Sequence, residues 1–175
     1  SKSRILLNAS DGLSGVQSVF YSFDQKKEQT YEATSFHTEF TKLKEGSHKL
    51  SFNAVDHVGN QEKQNSFSFR IDHAPPSITL REEGHRFQRQ NQTFVASNIN
   101  FYLTAREKKT VLKNLMYQID QGKLTSYNSA FGLSGSEGKH SISYFGTDIV
   151  ENQTPRVHRT YYLDTSPPKT QHQLK

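Results

Sequence analysis

Cysteine and tryptophan are both absent from the 175 residues, and methionine occurs once. Without cysteine there is no disulfide, no thiol nucleophile and no thiolate metal site. That absence does not fix a compartment; it suits an exported bacterial protein and removes the disulfide-stapled small domain from consideration. Long hydrophobic runs are also missing, so no segment can span a membrane as a helix. Hydrophobic residues reach only 32%, with 12 Phe and 8 Tyr among them, which predicts a thin, aromatic-rich core. Signatures of catalysis are missing too: there is no GxSxG, no HExxH, no phosphate-binding glycine loop and no dinucleotide fingerprint. Ser, His and Asp are plentiful, but nothing in their spacing sets up a triad. The expectation is a protein that is not an enzyme and has no cofactor. The chain opens on Ser1 with no charged-then-apolar leader, and is expected to be a piece of something longer.

The net charge of +5 lies entirely beyond Asp72. Arg81, Arg86 and Arg89 form one basic stretch, and Arg106, Lys108, Lys109 and Lys113 another. Such clusters attract polyanions. With no basic helix and no aromatic-basic interleaving, they read better as guards against sheet-to-sheet pairing than as a specific nucleic-acid surface.

The chain repeats itself. Tyr21-Ser-Phe-Asp24 returns as Tyr117-Gln-Ile-Asp120, 96 positions later. Glu45-Gly46-Ser-His48 returns as Glu137-Gly138-Lys-His140, 92 positions later, so one loop is four residues shorter in the second copy. Asp56-His-Val-Gly59-Asn60 returns as Asp148-Ile-Val-Glu151-Asn152, and Ile71-Asp72-His-Ala-Pro75-Pro76 as Leu163-Asp164-Thr-Ser-Pro167-Pro168, at the same offset of 92. A period of this size is one β-sandwich domain rather than a helical solenoid unit.

Apolar residues alternate with polar ones at Val19–Phe23, Leu50–Ala54, Phe67–Ile71, Ile99–Ala105 and Leu115–Ile119. A period of two is a strand with one buried face. Ser77–Leu80 and Thr93–Ala96 are further candidate strands, Arg4–Ala9 is the first-copy equivalent of the Ile99 strand, and no substantial helix is expected. Gly122 is expected to take the positive φ of a hairpin turn, and Glu151, standing where the first copy has Gly59, to alter or strain its turn. Pro75-Pro76 and Pro167-Pro168 close the two copies, because proline cannot continue a ladder.

The order Ser14-Gly15-Val16, Tyr21-Ser-Phe-Asp24, Glu45-Gly46-Ser-His48, Ala54-Val-Asp56-His-Val-Gly59-Asn60, Ile71-Asp72 and Pro75-Pro76 resembles a bacterial Ig-like repeat. It is similar to repeats of leptospiral outer-membrane surface proteins and of large secreted bacterial enzymes. Gln25 stands where that pattern favours Gly, and the second copy departs further, at Thr110-Val111-Leu112, Gly146-Thr147 and Glu151. The resemblance implies an all-β chain of tandem Ig-like β-sandwiches, Greek-key and antiparallel, the first lacking its N-terminal strand. The expected division is residues 1–73 (truncated repeat), 74–166 (complete repeat) and 167–175 (linker or start of a further repeat). The function it implies is a non-enzymatic spacer or adhesion module of an exported protein, at the cell surface, in the outer membrane or extracellular. The alternative is accessory domains of a large secreted hydrolase with weak polysaccharide binding. Expected partners are an extracellular protein or polysaccharide and neighbouring repeats of the same chain.

No binding residue is singled out. The eight His form no H-x-H or H-x3-H pair, so no zinc site is expected. Asp11, Asp24 and Asp56, with counterparts Glu107, Asp120 and Asp148, either converge to hold Ca2+ or cap their own turns; capping is the preferred reading. Tyr31, Tyr102, Tyr127, Tyr144 and Tyr162 are candidates for a sugar platform, and packing is the alternative. Asn8-Ala-Ser10, Asn91-Gln-Thr93 and Asn152-Gln-Thr154 are sequons, which carry meaning only in a eukaryotic secretory protein.

Overall fold

Among the described residues, the alternating stretches at Val19–Phe23, Leu50–Ala54, Phe67–Ile71, Ile99–Ala105 (from Asn100 onward) and Leu115–Ile119 are extended and paired, and residues 5–10 are not. The structure, a computed structural model, describes residues 5–173 and divides between His73 and Ala74 into two compact units. Strands dominate both.

The first unit contains β1 (Val16–Phe23), β2 (Gln29–Thr30), helix α1 (Ala33–Thr41), β3 (Gly46–Asp56) and β4 (Asn65–Ile71), in one antiparallel sheet of order β2-β1-β3-β4. Tyr21 pairs with Phe52 and Phe23 with Leu50, so the alternation puts all four on one face. Tyr21, Phe23, Phe36, Leu43 and Leu50 form the core, and Ile5, Leu7, Phe40 and Phe69 pack around it.

The second unit contains β5 (Ser77–Glu83), β6 (Arg86–Arg89), β7 (Gln92–Val95), β8 (Asn100–Arg106), β9 (Leu112–Ile119), β10 (Thr125–Ser126), β11 (Gly138–Asp148) and β12 (Val157–Leu163). A six-stranded sheet of order β10-β9-β11-β12-β7-β6 faces the pair β5-β8. All pairings are antiparallel except β7 with β12, which run parallel where the chain's last strand closes against the β6-β7 hairpin. Phe101, Leu103, Leu115, Ile142, Tyr144, Tyr161 and Leu163 fill the space between the layers. Fully burying such side chains stabilises by about 1.5–3 kcal/mol each.

Three features depart from the sequence expectations. The four extra residues of the first copy belong to a segment that folds as α1. Phe36 and Phe40, one turn apart, bring both rings to the core side. With three Thr in nine residues and no side-chain cap at Glu32, α1 has little intrinsic helix preference, so packing holds it. Residues 5–10 are not a strand, although Ile5 and Leu7 keep the core positions of Phe101 and Leu103. Their second-unit equivalent, β8, is a strand because β5 pairs with it, and no described residue of the first unit plays that part; Arg4 lies outside the described residues. Finally, the hairpin after β9 puts its positive φ on Asp120 (50°) and not on Gly122, just as the hairpin after β1 uses Asp24 (52°) and Gln25 (61°).

Candidate functional site

Several of the residues that the two copies share are charged or polar, and the structure engages these in the same way twice. At one end of each sheet a carboxylate and an imidazole close the β1–β3 or β9–β11 hairpin. His48 donates from Nδ1 to Asp24 Oδ2 at 2.7 Å and from Nε2 to the Lys44 carbonyl at 2.7 Å. Asp24 Oδ1 accepts from the Lys49 N–H at 2.9 Å. In the second unit His140 donates to Asp120 Oδ2 at 2.7 Å and to the Ser136 carbonyl at 2.8 Å, and Asp120 Oδ1 accepts from the Ser141 N–H at 2.7 Å. Both ring nitrogens face acceptors, which favours the imidazolium. The Asp24 and Asp120 carboxylates accordingly push the pKa of His48 and His140 up. His48, then the Lys49 N–H, holds Asp24 below the usual range. For Asp120 burial opposes ionisation, but the Ser141 N–H and His140 outweigh it and the net direction is down.

The rest of the Glu-Gly-x-His motif has its own tasks. Gly46 and Gly138 adopt φ of 137° and 118°. Glu137 accepts from the backbone and hydroxyl of Thr165, both at 2.7 Å, which anchors the segment after β12 and lowers the Glu137 pKa to about 2.

At the opposite end Asp56 and Asp148 each organise the turn after the central strand. Asp56 Oδ1 accepts from Val58 N (3.0 Å) and Asn60 N (2.8 Å), and Oδ2 from Asn60 Nδ2 (2.8 Å). Asp148 repeats this with Val150 N (2.9 Å), Asn152 N (2.8 Å) and Asn152 Nδ2 (2.9 Å), and is completely buried. Glu151 occupies the Gly59 position at φ 72° in an otherwise unchanged turn. Asp11 caps the neighbouring loop through Leu13 N and Gly15 N. Thus Asp11 and Asp56 share an end, Asp24 lies at the other, and each carboxylate has its own turn to hold. Among the described residues no group of three or more His, Asp or Glu is placed to hold a metal ion.

The candidate platform tyrosines do not form one surface. Tyr144 is buried, which removes it from the set: it faces inward from β11. Tyr31 and Tyr127 each pack edge-on against Tyr21 or Tyr117 beside Phe36 or Phe131. Tyr102 lies under the Arg81 guanidinium at 4.4 Å, and Tyr162 packs on Phe94. Among the basic residues, Arg81 pairs locally with Glu83, Arg86 with Glu82, and Lys113 with Glu151. Arg86 and Arg89 lie on β6, the exposed edge of the six-stranded sheet, where cations discourage further pairing. What the sequence reading did not single out is the aliphatic tips at the Asp56 and Asp148 end: Leu13 and Val58 in the first unit, and Val111, Ile149 and Val150 in the second, all exposed.

The sequence pattern of the bacterial Ig-like domain (group 3) matches residues 31–118, just over half of the chain. The chain belongs to this family. The Ig-like match spans the boundary between the two units, taking in Glu45–His48, Asp56–Asn60, Pro75-Pro76, the strand β8 and all but the last residue of β9. Such domains are common in surface and secreted bacterial proteins and are typically non-catalytic. Among solved structures, the fibronectin(III)-like modules of Clostridium thermocellum CbhA are similar over 95% of this chain and 88% of theirs, at 11% identity and a TM-score of 0.44. None of the curated proteins matches the chain. No helix among the described residues is long and apolar enough to cross a membrane.

Proposed function

We propose that this chain is a non-enzymatic part of an exported or cell-surface bacterial multidomain protein, serving as an adhesion or spacer module. In this reading residues 1–73 are an Ig-like repeat without its first strand, 74–166 a complete repeat, and 167–175 a linker or the start of another. The observation that carries it is the duplicated engagement of the polar residues: Asp24 with His48 and Asp120 with His140, and Asp56 with Asn60 and Asp148 with Asn152. Chemistry repeated in two places and satisfied within its own unit is scaffold chemistry. Contact with a partner falls to the loops, where Leu13, Val58, Val111, Ile149 and Val150 stand exposed.

The test is binding of the 175-residue chain to an array of polysaccharides and extracellular-matrix proteins, at low and physiological salt, with and without Ca2+. Saturable binding that survives physiological salt, is indifferent to Ca2+ and weakens in Leu13→Ser with Val58→Ser supports adhesion. Binding that disappears with modest salt leaves the spacer role. Turnover of any polymer on the array overturns the non-enzymatic reading.

A further inference from the structure

We infer that the first unit carries an acceptor groove for an extended strand with the Pro-Pro-x-Ile-x-Leu pattern of residues 75–80. The inference rests on the reading of the two units as copies of one Ig-like design.

In the second unit β5 is held at three places. The Asn152 side-chain amide donates to the Ala74 carbonyl at 3.5 Å, where the segment enters. Pro76 is fully buried, and Pro76 and Ile78 lie over Gly146 so closely that a Cβ there would stand 3.5 and 3.1 Å from them. The strand then pairs antiparallel with β8, Ile78 opposite Ala105 and Leu80 opposite Leu103, and both side chains join the core.

The first unit has a residue at each of these places: Asn60 for Asn152, Ala9 for Ala105, Leu7 for Leu103, and Ala54 for Gly146, its one added methyl tightening the seat of the Pro and Ile side chains by a contact that a flexible Ile tip can relieve. All four line one groove of about 740 Å³. Val16 and Val19, which match the core-packed Leu112 and Leu115, line it as well. Along its rim residues 5–10 keep their inward side chains but have no ladder partner among the described residues; the Leu7 N–H reaches instead to the Tyr31 hydroxyl at 3.3 Å. An unpaired main-chain edge beside an apolar trough is the geometry of strand addition. Backbone hydrogen bonds supply affinity and alternate side chains supply specificity. The predicted register sets the Ile position opposite Ala9 and the Leu position opposite Leu7, with the second Pro beside Ala54. The occupant is therefore an extended peptide strand of the chemistry of β5.

The experiment adds a synthetic peptide of residues 74–83 to the ¹⁵N-labelled 175-residue chain. Saturable binding is expected, with amide shifts confined to residues 5–19 and 52–67. A peptide with Ile78→Asp and Leu80→Asp is expected to bind at least about tenfold more weakly, since both apolar side chains leave the trough. A first unit that is disordered alone and gains β-type amide dispersion with the peptide also supports the inference. Three results overturn it: no saturation at millimolar peptide, equal binding of the Asp-substituted peptide, or shifts restricted to the second unit. If residues 16–71 show dispersed β-type amides that ignore the peptide, the groove alone is wrong. If those residues stay undispersed with or without peptide, the reading of the first unit as an Ig-like copy falls with it.

Discussion

His48 and His140 each sit between a carboxylate and a carbonyl, two groups that only accept, and this makes their protonation part of the fold. A histidine whose pKa is raised on folding adds stability that is complete below its unfolded value of about 6.5 and is lost as pH rises through the folded value. The lowered Asp24 and Asp120 act oppositely: their contribution is present above about 3.9 and lost as pH falls through the folded value. These four groups therefore favour the folded state most between about pH 4 and 6.5. The thermal midpoint should decline from pH 6 to 9, and His48→Gln with His140→Gln should flatten that decline; an equal decline in the double variant would show that the imidazoles are not its source. The Gly59 and Glu151 turns give a second test at the same scale. A Cβ at Gly59 meets nothing within 4 Å, so Gly59→Val is penalised by the φ of 88° rather than by crowding, at about 1–2 kcal/mol. Glu151→Gly should do the reverse and raise the midpoint of the second unit, because the exposed pair with Lys113 that it removes contributes little. Calorimetry of both variants reads the two signs directly.

At the scale of elements, the two copies solve one packing problem with different backbones. Tyr21 meets Tyr31 at 6.3 Å and Phe36 at 4.8 Å; Tyr117 meets Tyr127 at 6.4 Å and Phe131 at 3.9 Å. Phe36 arrives on a helix, whereas Phe131 arrives on a single bridge to Phe101 in β8. The first unit has no described strand at the β8 position to offer such a bridge, and the four additional residues are enough to complete a helical turn instead. Because α1 is held by its rings and not by its propensity, Phe36→Ala should remove the helical circular-dichroism signal and destabilise the first unit by about 3–5 kcal/mol. Retention of the helix in that variant would mean that its own sequence sustains it.

On the scale of the molecule there are two cores, and their buried residues come from separate stretches of chain. Leu50 and Ile142 are the corresponding fully buried residues of β3 and β11. Scanning calorimetry should resolve two transitions. Leu50→Ala should lower one and Ile142→Ala the other, each by about 2–5 kcal/mol of unfolding free energy. A single transition that both substitutions move alike would show that the units unfold as one.

Much of this protein was legible in the residues themselves. Alternation located β1, β3, β4, β8 and β9, though not β11 or β12, and the repeated motifs located the turns, because a period of two and a carboxylate beside its own backbone are local physics. The same local reading could place Asp24, His48, Asp56 and Asn60 at turns but could not say that His48 crosses to Asp24, since that contact joins residues 24 apart. It missed α1, whose only helical signal is two Phe one turn apart, and it placed a strand at Arg4–Ala9, whose alternation is real but which has no ladder partner among the described residues. Sequence decided which side chains would turn inward; only the tertiary structure decided which backbones had a neighbour to pair with, because a strand exists through the strand beside it.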